Sequence, residues 1–208
     1  MPVEIVTFEV GPFLTNTYVV RAGDACWVID PGIEPGALVD FLTREAIVPD
    51  RVVLTHGHCD HIAGIPNLRG SVGPVEVWCP AADAPMLSDA TLNLSAPFGQ
   101  PMAFDPPDQV FHPGQTLTLG ELAWTVLDTS GHTPGGVSLY CISEGIVFTG
   151  DALFAGSIGR TDLPGADGAG LVAHIREALL TLPAETTVYA GHGPATTIGA
   201  ERQHNPFL

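Results

Sequence analysis

Within the six residues His56-Gly57-His58-Cys59-Asp60-His61 the chain places three imidazoles and one carboxylate. Neutral nitrogen and anionic oxygen donors at this density form the ligand set preferred by zinc and also suited to iron or manganese. Packing has no use for so many groups that would repel one another when protonated, so the cluster points to metal chemistry. Gly57 is expected to let the backbone take the tight path that turns His56 and His58 inward. Three further glycine-containing turns carry His or Asp: Ser130-Gly131-His132, Gly150-Asp151 and Gly191-His192. Taken singly each reads as an ordinary solvated turn, Gly-Asp being a frequent turn pair; beside the dense cluster they become candidate ligands. His112, His174 and His204 have no such company and are read as ordinary side chains. One zinc is satisfied by four ligands, whereas seven candidates stand here, enough for two divalent ions sharing a bridging carboxylate.

Each of the four turns follows a β-rich run: VVLT, TVLD, IVFT and TVYA. If those strands lie side by side, the turns meet at one edge, where a rigid sheet can position them. Composition and turn signals predict strands at 5–10, 17–21, 25–30, 51–55, 75–78, 116–119, 122–128, 137–142, 146–149 and 187–190, the first three as an antiparallel meander ended by Pro31-Gly32. Leu38, Phe41, Leu42 and Glu45 follow helical spacing and predict a helix over 35–45. Leu171, Ile175, Ala178, Leu179 and Leu182 predict a second over 171–182. Two strand clusters interleaved with amphipathic helices describe an α/β chain in which two sheets pack together under helices. The Pro-rich stretch 97–113 reads as a long, packed surface loop, with covering a substrate by Phe98, Met102 and Phe104 as the less favoured role.

A length of 208 residues, 45% of them hydrophobic, suits a single domain spanning 1–208. The formal charge is -16 and all seven basic residues are arginine, a surface that repels phosphate backbones and acidic membranes. A small molecule is therefore the expected partner, with neither nucleic acid nor membrane. Four cysteines without CxxC spacing give neither a zinc ribbon nor a disulfide framework, and Cys59 is expected to point away from the metals. No run of about 18 apolar residues occurs, and the opening Met1-Pro2-Val3-Glu4 is not that of a secretory signal, so a soluble cytoplasmic protein is expected.

The segments HGHCDH at 56–61, SGHTPGG at 130–136, FTGDALFAGSIGRTDLPG at 148–165 and AGHGPATTIGAERQHNPFL at 190–208 resemble the metallo-β-lactamase superfamily. The later motifs are similar to the short glyoxalase II-like hydrolases, and the likeness extends to the opening GPFLTNTYVV. The resemblance implies a four-layer αβ/βα sandwich with a dinuclear site at one edge. It divides the ligands into His56, His58 and His132 on one ion and Asp60, His61 and His192 on the other, with Asp151 bridging. The implied ions are two divalent metals, Zn2+ first, with Fe or Mn as substitutes. It further implies hydrolysis of a 2-hydroxyacyl thioester such as S-lactoylglutathione, with water made acidic by the metals as nucleophile and Asp60 orienting it. The longer glyoxalase II enzymes carry a C-terminal helical extension that grips glutathione, whereas this chain stops sixteen residues after His192. Arg160, the arginine of GSIGRTD, is read equally as a substrate contact or as a structural partner of Asp162. The alternative activity is that of a mononuclear iron persulfide dioxygenase using His56, His132 and Asp151; a non-enzymic metal-binding module ranks below both.

Overall fold

A computed structural model describes residues 3–208. The first sheet is built from β1 (Glu4–Val10), β2 (Thr15–Ala22), β3 (Ala25–Ile29), β4 (Arg51–Val53), β5 (Glu76–Pro80) and β6 (Gln109–Phe111), in that spatial order. The second contains β7 (Thr116–Leu119), β8 (Leu122–Asp128), β9 (Val137–Cys141), β10 (Ile146–Gly150), β13 (Thr187–Ala190) and β14 (Thr196–Thr197). A small hairpin of β11 (Leu153–Phe154) and β12 (Ser157–Ile158) stands apart from both. The helices are α1 (Gly36–Arg44), α2 (Cys59–Ile62), α3 (Ile65–Val72), α4 (Ala84–Ser88), α5 (Gly168–His174) and α6 (Ile198–His204).

Alternation along the strands sorts the side chains into layers. Tyr18, Val20, Trp27, Ile29 and Val53 turn inward from the first sheet to meet Leu117, Trp124, Val126, Leu139 and Phe148 of the second. The intervening residues Val19, Val28, Val52 and Val77 face outward, where Leu38, Leu42, Ile62, Leu68 and Leu87 from α1 to α4 cover them. On the far side Tyr140, Val147 and Val188 are covered by Leu171, Ile175 and Ile198. Helix, sheet, sheet and helix thus form the expected four-layer αβ/βα sandwich, each interface sustained by the burial of alternate apolar side chains.

Pairing within the sheets explains where the loops emerge. The meander β1-β2-β3 is antiparallel, as expected, but β3 to β6 run parallel to one another. Their C-terminal ends therefore deliver Asp30, Thr55 and Asp83 to the same edge. In the second sheet β10 and β13 are also parallel, so Asp151 and His192 leave it side by side. The sheets are joined at this edge by an isolated bridge between Thr15 and His192, by the Asn16 amide donating to the Gly191 carbonyl at 2.7 Å, and by the Val137 amide donating to the Thr55 carbonyl at 3.0 Å.

Several expectations are corrected. Residues 97–113 are not loop throughout, because 109–111 pair with β5. The helix expected over 171–182 begins at Gly168, widens into one π turn at Ile175–Leu179 and stops there, leaving Leu182 beyond its end. The strands expected to reach Thr55 and Ile142 end at Val53 and Cys141, although the Leu54 amide still donates to the Trp78 carbonyl at 2.9 Å. Among the described residues, no helix is long and apolar enough to cross a membrane.

Candidate metal centre

All seven sequence-predicted candidate ligands converge at the shared edge. His56 and His58 follow β4, with Asp60 and His61 on α2; His132 lies in the turn between β8 and β9; Asp151 follows β10, and His192 follows β13. Donor atoms of His56, His58 and His132 lie within 4.8 Å of one another, as do those of Asp60, His61 and His192. Asp151 stands between the two groups. Its Oδ1 is 3.3 Å from His61 Nε2, while Oδ2 is 3.5 Å from both His132 Nε2 and His192 Nε2. Glycine is required at 191 because a Cβ there would collide with Asp151 Oδ1 and the His61 ring. At Gly57 the reason is also space: a Cβ would sit 2.7 Å from that of Met86.

The hydrogen bonds around the imidazoles decide which nitrogens are free. His61 Nδ1 faces Asp30 Oδ2 at 3.0 Å, His132 Nδ1 faces the Arg160 carbonyl at 2.8 Å, and His192 Nδ1 faces the Phe13 carbonyl at 3.0 Å. Each partner can only accept, so each Nδ1 carries the proton and each Nε2 presents a lone pair to the centre. His56 follows by one more step. The Thr55 hydroxyl donates to Asp30 Oδ2 at 2.6 Å and so accepts from His56 Nδ1 at 3.1 Å, again leaving Nε2 bare.

Nitrogen atoms that face one another need a proton or a metal cation to bring them together. His58 Nδ1 lies 2.9 Å from His132 Nε2, and His61 Nε2 lies 3.3 Å from His192 Nε2. His56 Nε2 and Asp151 Oδ1 are buried and have no hydrogen-bond partner; the 3.3 Å approach of His61 to Asp151 Oδ1 is an ion-pair distance without hydrogen-bond geometry. Buried polar atoms are otherwise almost always satisfied, so these orphans mark positions suited to cations. The donor set fits two divalent ions.

Electrostatics distinguish the two groups. Burial, reinforced by neighbouring imidazoles, pushes His56 well down and takes His58 to about 3, so both stay neutral donors. Burial also works against a charge on His61 and His192, but Asp151 and Asp60 outweigh it, raising His61 well above its usual value and His192 to about 10. Reciprocally, burial opposes ionisation of Asp60 and Asp151, and the same imidazoles overcome it, holding both carboxyls below the usual range. Without metal, protons take the place of the cation.

Two supporting carboxylates were missed by sequence reasoning. Asp30 accepts from the Thr55 amide at 2.8 Å as well as from the Thr55 hydroxyl and His61. Its oxygen also lies within 4.8 Å of donors on His56 and His61, but with both oxygens committed it orients ligands. Asp83 is fully buried and accepts from the Gly57 amide at 3.0 Å, the Thr133 hydroxyl at 2.7 Å and the Gly135 amide at 2.6 Å, tying the first histidine turn to the second. Asp30 had a weak signal, a lone acid ending the run WVID before Pro-Gly; Asp83 in AADAP had none. Arg160 pairs with Asp162 through two 2.9 Å contacts, and its main-chain carbonyl holds His132. The centre opens into a cavity of about 360 Å³ that Arg160 borders. Of the segment 97–113, Phe98 lines this cavity while Phe104 packs against the outer core of the first sheet.

A family model described as the metallo-beta-lactamase superfamily matches residues 10–192. The probable metallo-hydrolase YqgX of Bacillus subtilis is 37% identical over 200 residues, 96% of this chain and 94% of that protein. The hydroxyacylglutathione hydrolase GloC of Haemophilus influenzae is 37% identical over 183 residues, 87% of this chain and 86% of that protein. Among solved structures, the BLEG-1 B3 metallo-beta-lactamase is 40% identical with a TM-score of 0.93, covering 99% of both chains. TTHA1623 in a di-iron-bound form is 36% identical with a TM-score of 0.87, covering 98% of this chain and 100% of that one.

Proposed function

The chain belongs to the metallo-beta-lactamase superfamily, and from that premise we propose that it is a metal-dependent hydrolase that uses two divalent ions to cleave a 2-hydroxyacyl thioester of the S-lactoylglutathione type. The observation that carries the reading is the pair of converging donor sets with Asp151 between them, and the buried His56 Nε2 and Asp151 Oδ1 left without hydrogen-bond partners. His56, His58 and His132 would hold one ion, Asp60, His61 and His192 would hold the other, and Asp151 would serve both. Nitrogen and carboxylate donors suit zinc and iron alike, and the di-iron form of a relative makes iron a real competitor. When bound, the ions supply Lewis acidity to the thioester carbonyl and lower the pKa of water to near neutrality.

The chain's own residues do the rest. Asp60 lines the cavity, receives the Thr15 hydroxyl at 3.3 Å and is placed to orient the attacking water. Asp30, Thr55 and the Arg160 and Phe13 carbonyls fix the tautomers of His56, His61, His132 and His192, which would keep their Nε2 lone pairs turned toward the ions. A departing thiolate, with a pKa of about 8.5 for its acid, needs no protein acid. That feature separates the thioester reading from its nearest rival, β-lactam hydrolysis, which the likeness to BLEG-1 favours. An amine leaving group requires a proton, which Asp60 or a metal-acidified water would have to deliver, since the titratable side chains on the cavity wall other than Arg160 are all assigned to metal. A mononuclear dioxygenase would leave Asp60, His61 and His192 without a task.

The test is thiol release from S-lactoylglutathione by protein reconstituted with zinc or with iron, run beside a chromogenic cephalosporin. Thiol release with a much slower cephalosporin reaction supports the proposal. Cephalosporin hydrolysis without thiol release refutes it.

A further inference from the structure

Away from the donor cluster, the 360 Å³ cavity changes character. Its floor is imidazole and carboxylate, whereas its wall is Phe13, Leu94, Phe98, Phe154, Ile158 and Leu163. The Phe13 and Phe98 rings are 5.3 Å apart, tilted by 54°, and both are substantially exposed. The same two rings line a second cavity of about 260 Å³ with Pro12, Cys59 and Met102, so the pair forms the partition between the two spaces.

Both rings are tied to the centre through the backbone. The Phe13 carbonyl accepts from His192 Nδ1 at 3.0 Å. Phe98 belongs to a turn anchored by the Cys59 amide donating to the Asn93 carbonyl at 2.8 Å, with the Phe98 amide donating to the Leu94 carbonyl at 3.3 Å. On the opposite side Phe154 packs edge-on to His192, with ring centroids 6.0 Å apart.

Exposed aromatic surface held in fixed positions around a reactive floor gains free energy only when apolar surface covers it. Beyond the metal-binding floor, a substrate carboxylate finds no free guanidinium among the described residues of the wall, because Arg160 has its fork taken by Asp162. The formal charge of -16 further opposes anions.

We propose that Phe13 and Phe98 are specificity-determining residues that select thioesters carrying an apolar group of aryl size beside the scissile bond. The proposal rests on the thioester reading above and deepens it. A lactoyl methyl covers little of the aromatic wall, while a phenyl ring covers far more and stacks at aromatic distance.

The experiment compares S-mandeloyl and S-lactoyl thioesters of one uncharged thiol on the metal-loaded wild type, Phe98→Ala and Phe98→Leu. In parallel, calorimetry measures binding of the corresponding non-hydrolysable thioethers. The wild type is expected to favour the phenyl compounds by about tenfold or more in both kcat/KM and binding. Phe98→Ala should reduce both ratios by about tenfold, and Phe98→Leu by less. Ratios that Phe98→Ala and Phe98→Leu leave unchanged would overturn the specificity role. Phenyl-selective thioether binding, lost in Phe98→Ala, without hydrolysis of either thioester would sustain the role of the pair and reject the thioester reading instead.

Discussion

The two halves of the centre are built from different chemistry. His56, His58 and His132 form a buried, uncharged half in which low pKa values keep the imidazoles of His56 and His58 available at neutral pH. Asp60, His61 and His192 form a half with its own carboxylate, and His192 is partly open to the cavity. The first half attracts a cation chiefly through lone pairs; the second attracts it through charge and, when empty, fills with protons instead. Asp151 supplies the anion that the first half lacks and is shared by both. In the proposed dinuclear centre a single carboxylate would therefore balance two sites of unequal charge.

The largest expected effect comes from removing that shared group. Asp151→Ala should release at least one ion by elemental analysis and lower kcat by about a thousandfold or more, since roughly 4 kcal/mol of metal-borne stabilisation disappears. Full activity in that variant would break the account of a balanced pair. Next in size is stripping both halves with a chelator. Metal held far above its dissociation constant contributes about 4 kcal/mol to the folded state, so thermal unfolding should fall by roughly 10 °C and recover on adding zinc. An unchanged melting temperature would mean that no tight metal is bound.

Asp83 tests how the uncharged half is held in place. Burial pushes its carboxyl up while its three donors pull against that shift. Asp83→Ala leaves the Gly57 and Gly135 amides and the Thr133 hydroxyl unpaired, which should destabilise the protein by about 2–4 kcal/mol in denaturant unfolding. Asp83→Asn should cost less, because one acceptor oxygen survives. The smallest effect concerns Cys59, whose thiol burial raises to about 11. Cys59→Ala should leave metal content unchanged, and the native thiol should resist alkylation at pH 8, where the thiolate fraction is on the order of one in a thousand. A fall in bound metal would place its sulfur in the centre.

The candidate donors were legible in the sequence because neither packing nor turn formation calls for three imidazoles and a carboxylate within HGHCDH. The strands were legible for a similar reason, since Val19, Val28 and Val52 alternate with inward residues over several positions. Supporting groups were not, because their roles arise from neighbours distant in sequence. Asp30 reaches Thr55 and His61 only because β3 and β4 lie parallel, and Asp83 reaches Thr133 and Gly135 across about fifty residues of chain. Short elements escaped too: α2 spans four residues, α4 five and β6 three, too few for a periodic stripe. In the 171–182 stripe the apolar spacing was sound, but spacing alone does not reveal a change from α to π winding.

The most direct test of the central claim is metal stoichiometry by elemental analysis of the purified, metal-replete protein beside its Asp60→Ala variant. Two equivalents in the wild type, falling to one in the variant while the uncharged half keeps its ion, is the predicted result. One equivalent in both would contradict a dinuclear centre.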